Sequence, residues 1–312
     1  MWLNRFNRFL VFATFCLIIA GGLVTSTESG LSVPDWPKSY GMWMPPMVGG
    51  VFYEHGHRMV ASFVGFLTVI FAIWLWWKEP RKWLRVLGGV ALIAVIAQGI
   101  LGGITVLYFL PTPVSVAHAT LAQSFFCLVV SMALFTSPEW RQPQPKVAVE
   151  GNPRRLFLLT SLAVYLQLIL GAWVRHSGAA LAIPDFPLAM GRLVPEITSP
   201  GVAIHFAHRV GAVVVFTLIT ATLVTVLRRM KRERRFVVPA LMMFVLAICQ
   251  IALGGYTVLT KTAVPVATAH VAVGALILAT SVVLTLRGIR HLEPVSGISL
   301  EADKFTREAS RA

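Results

Sequence analysis

Glu54-His55-Gly56-His57-Arg58 opens an apolar run that continues from Met59 to Trp77. The run alone reads as a membrane-spanning helix, because ~20 apolar residues at ~1.5 Å each cross the hydrocarbon core of a bilayer. Ionisable side chains at the mouth of such a helix are costly, and they point to a site rather than to packing. A second stretch, His205-Phe206-Ala207-His208-Arg209, opens another apolar run and repeats the His-Arg pair. Where the first stretch has Glu54, the second has His205.

Outward from these stretches, the 312-residue chain is 56% hydrophobic and only 13% charged. Its mean hydropathy is +0.75, too apolar for a soluble globular domain. The fold class expected is an all-α polytopic membrane protein. Eight apolar runs are long enough to span, near 8–26, 54–77, 84–107, 113–136, 156–175, 202–227, 236–259 and 263–287. The formal charge of +14 does not point to nucleic acid, because the basic residues lie in short clusters between apolar runs. Lys78 to Arg85, Arg141 to Arg155 and Arg228 to Arg235 alternate with loops that carry only Lys38, Arg175, Arg192 and Lys261. By the positive-inside rule both termini are cytoplasmic in an integral cytoplasmic-membrane protein, and the loops at 27–53 and 176–201 face outward. The first run is read as a retained span rather than a cleaved signal. Cys16, Cys127 and Cys249 each sit alone in an apolar run and read as small buried hydrophobes.

The chain repeats itself. Pro34-Asp35-Trp36-Pro37 returns as Pro184-Asp185-Phe186-Pro187, His57-Arg58 as His208-Arg209, Gln98–Val106 as Gln250–Val258, and His118 as His270. Four landmarks in one order at a nearly constant spacing indicate two homologous four-helix bundles. An even number of spans per half makes the repeats parallel, related by a pseudo-two-fold axis near the membrane normal. The expected division is 1–137 for the first half, 138–153 for a cytoplasmic linker, 154–290 for the second half and 291–312 for a cytoplasmic tail. The pairs Gly102-Gly103 and Gly254-Gly255 are expected to let helices approach closely, as packing without chemistry.

Each of His57, His118, His208 and His270 falls roughly four to seven residues into a span running from outside to inside, which puts all four at one depth. A single histidine in an apolar helix is ordinarily a satisfied core residue; four at one depth in a repeat suggest ligands. Two imidazoles from facing helices can clamp a planar cofactor, and haem iron takes axial histidine, giving one site per half. A tetrahedral zinc site lacks cysteine or carboxylate partners, and a proton relay stays open. Of the two first-half candidates, His57 is preferred to His55, because His57 is followed by arginine as His208 is. His55 points about 200° away and is expected to face out of the bundle. Glu54, three residues before His57, is placed over the edge of whatever His57 binds. Arg58 and Arg209 either pair with anionic cofactor groups such as propionates or anchor helix ends. Arg175 and His176 are expected at an outer helix end in an interfacial role, and His291 in the polar tail carries no site signal. The repeated Pro-Asp-aromatic-Pro turn suggests a folded lid over each site, with Asp capping local backbone donors.

With these motifs the chain resembles the haem A synthase family over essentially its whole length. The resemblance rests on eight spans in two halves, Gly30-Leu31-Ser32-Val33-Pro34-Asp35-Trp36-Pro37, Glu54-x-x-His57-Arg58, and single histidines opening the fourth and eighth spans. It implies oxidation of a ring methyl group of haem O to a formyl group, by successive hydroxylations, to give haem A for terminal oxidases. It further implies that His208 and His270 ligate a permanent haem b, that His57 and His118 flank the haem O/haem A site, and that Glu54 is the essential carboxylate. Implied partners are haem O, an unidentified electron acceptor, haem O synthase and the cytochrome oxidase assembly machinery, with homo-oligomerisation left open. Many relatives of that family carry a cysteine pair where this chain has Val33 and Ser39, a departure from the family's pattern that bears on any thiol-disulfide step. Two rivals stand beside the synthase: a di-haem b electron-transfer protein and a haem carrier without chemistry.

Overall fold

A computed structural model describes residues 2–294; the part of the expected tail beyond Pro294 lies outside the described residues. Eight long helices dominate it: α1 (Trp2–Ser26), α2 (Gly50–Lys78), α3 (Lys82–Leu107), α4 (Thr112–Phe135), α6 (Pro153–His176), α7 (Pro200–Arg229), α8 (Arg234–Leu259) and α9 (Val264–His291). A short helix, α5 (Pro138–Arg141), follows α4. All eight long helices are 24–30 residues and apolar enough to cross a membrane. Proline at the first turn of α4, α6, α7 and α9 costs no intrahelical bond and fixes the entry angle. Asn152 and Ser199 cap α6 and α7 by accepting the Arg155 and Val202 N–H groups.

Most helices run a few residues beyond the apolar runs, because α1 starts at Trp2 and α2 at Gly50. Polar residues do not end a helix whose buried face continues. Asn4 donates to the Ala133 carbonyl, and Leu3, Asn7 and Leu10 are buried in the same helix.

Neighbouring helices fall into two rings: α1–α2–α3–α4, closed by α1 against α4, and α6–α7–α8–α9, closed by α6 against α9. Contacts of α1 with α9, α4 with α6 and α4 with α9 join them. Helix α9 is the most enclosed, with 56% of its membrane window buried against 17% for α3. Its two faces serve different cores. Ala275 and Ala279 complete one around Phe71, Leu75 and Phe126, while Ile277, Leu278 and Leu284 complete another around Phe157, Ile219 and Phe236.

The connection 138–153 is not a loose strap. Within it β1 (Val147–Val149) pairs in parallel with β2 (Leu292–Pro294), which follows α9 directly. Glu139 in α5 accepts from Arg287 at 2.9 Å. His291, expected in a polar tail, is instead the buried last residue of α9, 3.6 Å from Glu139.

Candidate functional site

All four landmark histidines lie near the start of α2, α4, α7 and α9, turned into their rings. His57 and His118 are within electrostatic range of each other, and so are His208 and His270. Each ring edge meets a glycine of the preceding helix. A β-carbon on Gly21, Gly102, Gly171 or Gly254 would come within 3.2, 3.2, 2.9 and 3.1 Å of Cε1 of His57, His118, His208 and His270 respectively. The glycines therefore make room for imidazoles. Nδ1 of His57, His118 and His270 is buried with no hydrogen-bond partner among the described residues. Buried polar atoms without partners are rare, and they mark a place where a further group belongs. Paired imidazoles, each against a glycine and three of the four with an unpartnered Nδ1, are of the donor type that holds a haem iron.

The glycine pairs therefore have two separate duties. Gly102 and Gly254 face the histidines, whereas a β-carbon on Gly103 or Gly255 would lie 2.7 Å from the rings of Trp36 and Phe186. The aromatic of each Pro-Asp-aromatic-Pro turn is thereby packed directly against the third helix of its ring.

Those turns are built alike. Tyr40 and Gly41 have φ of 54° and 71°, Met190 and Gly191 55° and 74°. The left-handed backbone presents successive N–H groups to one carboxylate, which is why glycine stands at the second position. Asp35 accepts from Tyr40 and Gly41 at 2.6 and 2.8 Å, Asp185 from Met190 and Gly191 at 2.7 and 2.8 Å. The Gly41 N–H has the largest influence on Asp35, holding its carboxyl below the usual aspartate range with help from Tyr40 and Arg58, against desolvation. Gly191 and Met190 act likewise on Asp185.

The arginines of the motifs hold these loops in place. Arg58 donates to the carbonyls of Asp35 and Lys38 at 2.8 Å and to Glu54 at 2.6 Å. Arg209 donates to the carbonyls of Leu188, Ile183 and Asp185, and its guanidinium lies over the Phe186 ring. Both guanidiniums are engaged by loop carbonyls, with Arg58 also held by Glu54. The fork of donors suits clustered carbonyls better than a lysine would. Sequence offered one missed sign: the His-Arg and Pro-Asp-aromatic-Pro motifs recur together, as parts of one device must.

Glu54 is 3% exposed, and both its oxygens are engaged, Oε1 by Arg58 and Oε2 by the Val33 N–H at 2.8 Å. His205 does the same work in the second ring. Its Nδ1 accepts from the Ile183 N–H at 3.3 Å, and Nε2 faces Arg209 at 3.4 Å. The Glu/His exchange thus sits inside a shared clamp rather than hanging free over the site. His55 is not turned outward, as expected, but is 5% exposed, with Nδ1 2.8 Å from the Ser39 hydroxyl. It faces the folded loop, a partner that helix geometry alone does not reveal.

Glutamines supply the remaining polar contacts. Gln98 donates to the His118 carbonyl, Gln167 to the His208 carbonyl with its amide 3.1 Å from Nδ1, and Gln250 lies 3.3 Å from His270 Nε2. Arg175 is not merely interfacial: it crosses to α1, donating to the Ser26 hydroxyl at 2.7 Å and towards the Gly22 carbonyl. His176 accepts from Thr112 through its backbone carbonyl, which ties α6 to α4.

Residues 4–50 and 48–282 match the family of cytochrome oxidase assembly proteins. A protein of Halalkalibacterium halodurans named heme A synthase is 31% identical over 264 residues, covering 81% of this chain and 86% of that protein. One of Symbiobacterium thermophilum bearing the same name is 33% identical over 223 residues, 69% of this chain and 72% of that protein. A third, of Shouchella clausii and also so named, is 28% identical over 267 residues, with 84% and 88% covered.

Proposed function

Because the chain belongs to the family of cytochrome oxidase assembly proteins, we propose that it is a membrane haem A synthase that oxidises a ring methyl group of haem O to a formyl group. The observation that carries this reading is the pairing of His57 with His118 beneath a loop clamp that contains a carboxylate, Glu54. In the second ring His208 and His270 hold a haem b, under a clamp that has His205 instead. A haem there supplies one-electron chemistry. The two rings are related by a pseudo-two-fold axis between α4 and α9, in a protein with cytoplasmic termini. Matching neighbours on either side of that pair and the alternating basic loops support this.

The protein's part in the reaction is positional. His57 and His118 fix the plane of the substrate macrocycle, and the loop 27–49, held by Arg58 and capped by Asp35, keeps bulk solvent from its outer edge and leaves room for the reacting water beside Glu54. A carboxylate has about four acceptor sites, so Glu54 can hold Arg58 and Val33 and still accept from water at the methyl being oxidised. The proton released there passes to Glu54, whose neighbour Arg58 offsets the charge that it carries before and after. Each hydroxylation by water releases two protons and two electrons, and the second leaves a geminal diol that loses water to give the formyl group, with the electrons leaving to an acceptor outside the chain.

Extraction of the haems from purified protein, followed by chromatography, tests this. Haem b together with haem A or a hydroxylated haem is expected. Haem b alone would favour an electron-transfer protein, and one unaltered, easily exchanged haem would favour a carrier.

A further inference from the structure

At the end of the molecule opposite the lids, the α2–α3 turn, α5 and the end of α9 border an open hollow of about 370 Å³. Glu79, Arg81, Trp83, Trp140, Arg141 and Arg290 line it. Glu79 is buried, and it orients two of the guanidiniums, Arg81 at 2.6 Å and Arg141 at 2.9 Å. Arg81 also donates to the Phe135 carbonyl, which fixes it to the end of α4. Arg290 lies over the Trp140 ring and donates to the Trp140 carbonyl. One carboxylate against three guanidiniums leaves positive charge in a concave place without a counter-charge among the described residues lining it, and planar guanidiniums match phosphate oxygens.

We propose that this cavity binds the headgroup phosphate of an anionic phospholipid. Two observations favour a lipid over free phosphate as the source. The cavity opens at helix ends, where headgroups lie and where basic pockets between spans meet lipid. From its rim an apolar stripe descends the outer face of α3: Trp83, Val86, Val90 and Ile93 are 45%, 63%, 45% and 69% exposed at helical spacing, a track for an acyl chain. Trp83, edge-on to Phe135, and Trp140, tilted against the same ring, mark the interface. Because Glu79 and Arg81 come from the first ring and Arg290 from the second, a bound headgroup would touch both.

The test uses the full-length protein in a neutral detergent, probed by native mass spectrometry with phosphatidylglycerol, phosphatidylcholine or inorganic phosphate. Retention of phosphatidylglycerol over phosphatidylcholine is expected. That preference should fall about fivefold in Arg290→Gln and further in Arg141→Gln/Arg290→Gln, as expected for one interfacial charge removed at a time. Arg192→Gln, an exposed arginine at the lid end, should leave it unchanged. Equal retention of the two lipids, an undiminished preference in the double variant, an equal fall in Arg192→Gln, or phosphate bound as tightly as the lipid would each overturn the proposal. Arg141 and Arg290 are peripheral, so helical content measured by circular dichroism is expected to match the parent. A change there would shift the test to Arg290→Gln alone.

Discussion

Four imidazoles each rest on a glycine, and this fixes what single substitutions do. Gly171→Val would drive a branched side chain into His208, because even a β-carbon there lies 2.9 Å from Cε1. Overpacking of that kind costs roughly 1–3 kcal/mol, and it falls on the ring orientation. The expected outcome is roughly tenfold weaker haem retention in the second ring with helix content intact, read from the Soret absorbance of purified protein. The histidines themselves were legible in the sequence, since four of them recur in register within apolar runs. Their glycines were visible only as generic packing residues, because sequence spacing cannot say which neighbour a helix face will meet. The loop partners of His55 and Glu54 were not foreseen, for a related reason. Helix periodicity places a side chain on a face, but the loop that folds down onto that face is a tertiary event.

At the scale of elements, each outer loop, its aspartate and its arginine form one unit. Arg58→Ala would leave Glu54 buried without its counter-charge, a loss of about 3–5 kcal/mol when a buried pair is broken. Arg209→Ala would leave His205, an imidazole rather than a carboxylate, and would cost ~1–3 kcal/mol in lost hydrogen bonds. Limited proteolysis should therefore open 27–49 in the first variant more readily than 177–199 in the second; equal rates would contradict the clamp. Acid acts on the same units. The carboxyls of Asp35 and Asp185 are held below the usual range by the N–H groups of Gly41 and Gly191. Their contribution is complete above the unfolded aspartate pKa of ~3.9 and declines as pH falls through the depressed folded values. Hydrogen exchange of Tyr40, Gly41, Met190 and Gly191 should then stay protected down to about pH 4 and lose protection only below it. Loss of protection near neutrality would show that the carboxylates do not hold the turns. The lid itself could be foreseen from Pro-Asp-aromatic-Pro, whose residues favour a capped turn. What ties it down could not, because backbone carbonyls leave no mark in a sequence.

Across the whole molecule, eight spans and their order follow from apolar runs and alternating basic loops, so the class of fold was legible from hydropathy alone. How the two rings meet was not. Arg175, which has no counterpart in the first half, bridges to Gly22 and Ser26. Arg175→Ala should lower stability by about 1.5–3 kcal/mol, the range for hydrogen bonds from a charged group. A drop in the thermal midpoint in detergent would show it; an unchanged midpoint would mean that the bridge contributes nothing. In the function proposed above, the rings share one architecture but divide the labour, with the carboxylate of the first doing chemistry that the imidazole of the second does not. Glu54→His tests it most directly, because His205 already shows that an imidazole can accept from the loop N–H, there that of Ile183, as Glu54 accepts from Val33. The haems of that variant, extracted and separated by chromatography, should comprise haem b and accumulated haem O with no haem A. Haem A at the parent level would contradict the account and reduce Glu54 to a structural clamp.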